Sequence, residues 1–206
     1  MAATSNVFAP TGLSFTRNFI SGANTYQQNL SAIKVGYTTA IAMGDLVKIG
    51  TGAQQGYVNL SLTTDTVHLG VFGGILAYYD QTLQTTFHGL NGAYQTTLNP
   101  AADIPCVVVM DPFAAFAVQV SAPSNAFTQS WIGQNINFLT GTNGVANTAG
   151  RSTLALDYTT LGTSNTLPFR IIGPWGYVGG PQDPTNNNPW VEVRLNTSAA
   201  LQATGI

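Results

Sequence analysis

The stretch Ile104-Pro105-Cys106-Val107-Val108-Val109-Met110-Asp111-Pro112-Phe113-Ala114-Ala115-Phe116-Ala117-Val118-Gln119-Val120 decides the fold. It is the most apolar window of the chain, yet Asp111-Pro112 divides it, and neither half reaches the roughly 20 apolar residues of a membrane-crossing helix. Asp-Pro is turn chemistry, because the carboxylate can bond the backbone that follows and the proline ring fixes φ. Both halves are rich in β-branched and aromatic side chains. The window reads as two strands joined by a turn, with residues 104–110 apolar throughout and therefore central.

The same grammar extends in both directions. Candidate strands cover residues 37–43, 46–49, 56–62, 68–79, 93–98, 152–156, 167–172 and 190–195, separated by Gly, Asn and Pro. In the last of these Val191, Val193 and Leu195 alternate with Glu192 and Arg194, the pattern of a half-exposed strand. Good helix formers such as Glu and Lys are scarce. The expected fold is all-β, a β-sandwich or β-barrel-like body formed by residues 35–196 as a single domain. Residues 1–34 carry Phe8, Phe15, Phe19 and Tyr26 around Arg17 without strand periodicity, and read as an extended N-terminal arm whose aromatics need a partner to cover them. Removing residues 1–28 should then leave a body that folds. Residues 197–206 read as a C-terminal tail.

Charge narrows the function classes. Only 7% of the residues are charged, six basic and eight acidic, where a soluble domain has roughly 25%. They are scattered singly, so no electrostatic patch is expected, and nucleic-acid binding, which needs grouped Lys and Arg, is set aside. With a net charge of −2 and 44% hydrophobic residues, little opposes self-association, and a homotrimer is expected first and a dimer second. Residues 1–6 show no basic segment leading into an apolar one, so neither a secretory signal nor a membrane partner is expected.

The residues for catalysis are sparse. Cys106 is the lone cysteine and sits in an apolar run, which suits a buried, inert thiol. His68 and His88 stand apart and match no metal-ligand spacing. The nucleophile elbow, the phosphate loop and the dinucleotide fingerprint are absent. The expectation is a non-enzyme with no catalytic, cofactor-binding or metal-binding residue. In the Pro- and Gly-rich loop over residues 173–189, Asp183 and Asn186 to Asn188 offer oxygens but depart from the twelve-residue calcium pattern. Trp175, Tyr177, Asp183 and Trp190 are the side chains that could hold a sugar.

Taken in order, Gly44-Asp45-Leu46-Val47, Leu69-Gly70-Val71-Phe72-Gly73-Gly74, Asp111-Pro112 with Phe116-Ala117-Val118-Gln119, Ile132-Gly133-Gln134-Asn135, Gly150-Arg151-Ser152, Leu167-Pro168-Phe169-Arg170-Ile171-Ile172 and Trp190-Val191-Glu192-Val193-Arg194-Leu195-Asn196 resemble the decoration, or cement, proteins of tailed-phage heads. The resemblance runs across residues 12–196, and the chain departs from it in its low charge and its tail. It implies a β-rich protein on the outer surface of the virion capsid, often a small homo-oligomer, that ties neighbouring major capsid protein subunits together and carries no enzymatic residue. Contact candidates are then Phe8, Phe15, Arg17, Phe19 and Tyr26 in the arm, with Trp175 and Tyr177 in the long loop. The alternative is a tail or fibre component that binds a host receptor or glycan through that loop.

Overall fold

A computed structural model describes residues 6–18, 28–88, 92–178, 180 and 182–196. Phe19, Tyr26 and residues 197–206 lie outside the described residues. The chain is all-β, and the described residues form thirteen strands: β1 (Ser14–Asn18), β2 (Gln28–Ile33), β3 (Leu46–Ile49), β4 (Val58–Leu60), β5 (Gly70–Ile75), β6 (Ala77–Asp80), β7 (Thr85–His88), β8 (Ile104–Val109), β9 (Ala114–Ser121), β10 (Asn135–Phe138), β11 (Leu156–Gly162), β12 (Phe169–Pro174) and β13 (Trp190–Leu195). Among the described residues, helix is limited to two short 3₁₀ turns. None of these is long and apolar enough to cross a membrane.

The opening window behaves as its residues dictate. Asp111 Oδ1 accepts the Phe113 amide at 2.8 Å, and the Asp111 carbonyl accepts the Ala114 amide at 3.1 Å, turning β8 into β9. β9 is the hub of a six-stranded sheet. β13 runs antiparallel along one edge of it, while β1 and then β11 share the other, β11 in parallel. Through β10 and β12 the sheet returns to β13, so β9–β11–β10–β12–β13 closes into a barrel with β1 as an extra stave. Closure removes the exposed edges that an open sheet would leave. Phe116, Val118 and Val120 of β9 point inward with Ile136, Phe169 and Val193 to form an apolar core.

A second, antiparallel sheet runs β2–β8–β5–β3–β4. One of its faces carries its own core of Ile33, Val47, Phe72, Ile104, Cys106 and Val108. The other sends Leu46, Val71 and Val109 into the barrel's core cluster, which joins the two halves. β6 and β7 form a separate two-stranded hairpin.

At the seam between the halves two backbone segments approach closely. The Leu13 amide donates to the Gly44 carbonyl at 3.0 Å, and a Cβ on Gly44 (φ +91°) would lie 3.0 Å from the Leu13 oxygen. Only glycine fits that conformation without strain. Beside it the buried Asp45 carboxylate accepts the Ala42 amide at 2.6 Å and the Ser152 hydroxyl. Burial outweighs these bonds and pushes its pKa up to about 6.

Several expectations need correction. Within the segment read as an arm, residues 14–18 and 28–33 are strands of the two sheets. Their runs SFTRN and QNLSAI are too polar to show periodicity, and their partners β9 and β8 supply the apolar surface. Residues 37–43 and 93–98 form only the isolated bridges Ile41–Tyr94 and Met43–Arg151 in place of strands. The strand expected at 152–156 forms later, as β11, and the one at 68–79 breaks at Leu76 into β5 and β6.

Candidate functional site

The alternation of β9 leaves Ala115, Ala117 and Gln119 on the outside of the barrel, where side chains should meet water. Instead Gln119 is fully buried. Its amide acts as a short piece of strand: Oε1 accepts the Ala9 amide at 2.9 Å, while Nε2 donates to the Val7 carbonyl at 2.9 Å and the Asn188 carbonyl at 3.2 Å. One residue earlier, Asn6 Nδ2 donates to the Asp183 carbonyl at 2.8 Å in a buried bond. The described N-terminal stretch is therefore fastened both to β9 and to the long loop of residues 173–189. Val7 and Phe8 still face outward, 80% and 43% exposed, and on the loop Tyr177 and Val178 are 70% and 71% exposed. Four large apolar side chains thus stand in solvent on two segments that are hydrogen-bonded to each other.

The other candidates take structural places. Phe15 packs edge-on against Phe116 with ring centroids 6.2 Å apart, which makes it part of the core. Arg17 reaches across β9, over the small Ala115 and Ala117, to grip Glu192 with Nε to Oε1 at 2.9 Å and Nη2 to Oε2 at 2.5 Å. Thr16 Oγ1 adds a bond to Glu192 at 2.7 Å. Glu192, which the alternation of β13 placed in solvent, is thereby buried, and the hydrogen bond to it raises the Arg17 pKa further. Trp175 is half-buried, with its amide donating to the Trp190 carbonyl.

The proposed sugar-holding set does not assemble as an open platform. Trp190 and Asp183 are buried, and Asp183 Oδ1 accepts the amide and hydroxyl of Thr185 at 2.8 and 2.6 Å. The neighbouring asparagines also serve the loop: Asn187 Nδ2 donates to the Pro123 carbonyl, and Asn188 Oδ1 accepts the Ala122 amide. Among the described residues no group of three or more His, Cys, Asp and Glu is placed to hold a metal. His68 lies buried with Nδ1 3.0 Å from Ser61 Oγ, and burial pushes its pKa down to about 4. His88 ends β7. The Cys106 thiol is buried and pushed up to about 12.

Scattered charge is overturned as an expectation. The register places Arg17 opposite Ala115, Ala115 opposite Arg194, Arg194 opposite Arg170, and Arg170 opposite Asn135. Three of the six basic residues therefore share one transverse row on the outside of the barrel. Residues 17, 170 and 194 have no local relation in sequence, and only the strand order brings them together. No protein-family model, curated protein or solved structure matches the chain.

Proposed function

We propose that this protein decorates tailed-phage heads, lying on the outer surface of the icosahedral capsid and bridging neighbouring major capsid protein subunits. The observation that carries the reading is that Val7, Phe8, Tyr177 and Val178 face outward from two segments, the N-terminal stretch and the long loop, which hydrogen bonds fasten to each other and to β9. Exposed apolar side chains on segments held in place in this way suit a protein-binding surface. Little charge surrounds them, so attachment rests on apolar burial and backbone hydrogen bonding. The ordered resemblance to decoration proteins supports the same reading. Self-association belongs to it as well, a homotrimer first and a dimer second, which sedimentation at micromolar concentration measures.

The test is direct. Purified protein is incubated with undecorated heads of its phage and located by cryo-electron microscopy. Density over the outside of the shell, between capsid subunits, supports the proposal. Bare heads at saturating protein, or density confined to the tail, overturn it.

A further inference from the structure

Asn188 has a backbone conformation that its own side chain and the next residue both oppose. Its φ is +51°, a region that non-glycine residues rarely adopt. It also precedes Pro189, and a proline pushes the residue before it toward extended backbone. Glycine would take this φ without strain. Asparagine is held in it at three points. Its amide donates to the Ala122 carbonyl at 3.0 Å, its Oδ1 accepts the Ala122 amide at 2.9 Å, and its carbonyl accepts Gln119 Nε2 at 3.2 Å. A strained residue kept in place by its surroundings points to a role at that position.

That position is where the two segments with outward apolar side chains meet. On one side stands Gln119, whose amide bonds the Val7 carbonyl and the Ala9 amide on either side of Phe8. On the other, a staircase of turns leads back through the long loop. The Asn186 amide donates to the Asp183 carbonyl at 3.2 Å, the Asp183 amide to the Gly180 carbonyl at 3.2 Å, and the Gly180 amide to the Tyr177 carbonyl at 3.0 Å. The Asp183 carbonyl also accepts Asn6 Nδ2. We propose that Asn188 is the positioning residue of the attachment surface, setting Val7 and Phe8 relative to Tyr177 and Val178 so that one partner surface meets both pairs. The inference rests on the attachment reading above and adds the side chain on which the arrangement depends. Glycine could supply the backbone shape, so the role belongs to the Oδ1 that grips Ala122. Segments arranged before binding spare the complex the cost of ordering them.

The experiment compares the full chain with its Asn188→Gly and Asn188→Asp variants by hydrogen exchange and by occupancy on undecorated phage heads. Asn188→Gly relieves the backbone and removes the acceptor, whereas Asn188→Asp keeps an acceptor and tolerates the same φ. In the glycine variant the Ala9 amide should exchange about tenfold faster, while the Leu13 and Val193 amides keep their wild-type rates. Its affinity for heads should fall by about tenfold, and the aspartate variant should return both readouts to within about twofold of wild type. Unchanged Ala9 exchange in the glycine variant, faster exchange with unchanged occupancy, or an aspartate variant that behaves like the glycine one would overturn the inference. Wild-type protein that leaves heads bare overturns the attachment reading itself. Wild-type binding with an indifferent glycine variant overturns this inference alone.

Discussion

The barrel and the five-stranded sheet are built from similar residues but are fastened in different ways. In the barrel, β9 holds three strands, the sheet closes, and remote segments are tied across its outside by Gln119 and Glu192. The five-stranded sheet stays open, with β2 and the three-residue β4 at its edges. Polar satisfaction follows the same division. Of the buried side-chain atoms left without a partner among the described residues, Gln54 Oε1, Asn59 Oδ1 and His68 Nε2 belong to the open half and only Asn135 Oδ1 to the barrel. Buried polar groups without partners cost stability. Closure therefore makes the barrel the stiffer platform, and the open half is where the molecule should yield first.

The largest expected effect comes from removing residues 1–18. This takes away β1, the buried Leu13 and the ring of Phe15, and it uncovers Gln119 and Glu192. Loss of a buried leucine alone costs about 2–5 kcal/mol, and the stranded polar groups add to it. The truncated chain should fail to show a cooperative urea transition, the reverse of what the sequence suggested for an arm. A normal transition would mean that β1 only decorates the barrel.

Next in size is an opposition between two buried titrating groups. Asp45 at the seam has its folded pKa raised from 3.8 to about 6, so its contribution is fully present below 3.8 and is lost as pH rises through 6. His68 in the open half has its folded pKa lowered from 6.5 to about 4, so its contribution is present above 6.5 and is lost as pH falls through that window. At about 1.4 kcal/mol per pKa unit each is worth up to about 3 kcal/mol. They nearly cancel between pH 4 and pH 6.5. Stability of the wild type should therefore be flat there, Asp45→Asn should fall with acid, and His68→Gln should rise with acid. Urea midpoints against pH measure this, and parallel profiles for the two variants would refute it.

Hydrogen exchange compares the halves amide by amide. Protection in β9 and β13 should approach the global limit, while β3 and β4 should open at lower free energy. Smaller still is the effect in the β6–β7 hairpin, where the partly exposed ring of Phe87 stacks on Tyr78, 5.2 Å between centroids. Phe87→Ala should cost about 1 kcal/mol by chemical denaturation, the scale of an aromatic pair at a largely exposed site. A loss as large as that from the barrel truncation would show that the hairpin supports the core.

How far the sequence could be read follows from where each strand finds its apolar surface. β8, β9, β12 and β13 carry their own, in runs or in alternation, and were legible. β1, β2, β7 and β10, as SFTRN, QNLSAI, TTFH and NINF, are strands because of what they pair with. Of the contact candidates, Phe8 and Tyr177 emerge exposed, whereas Phe15 turned inward because Phe116 lies opposite it. The fastening role of Gln119 had one trace, a lone amide in an otherwise apolar strand. The arginine row had none, since strand register alone creates it.

Under the proposed function, the exposed side chains Val7, Phe8, Tyr177 and Val178 make the attachment. Occupancy on undecorated phage heads, counted by cryo-electron microscopy for a Val7→Asp, Tyr177→Asp double variant and for a Leu83→Asp control on the open half's hairpin, tests it. Leu83 is 62% exposed, so the control adds the same kind of charge without touching either core. At a concentration that just saturates the wild type, the double variant should lose affinity by about tenfold or more, leaving most sites empty, while the control fills them. Full occupancy by the double variant, or loss confined to the control, would contradict the account.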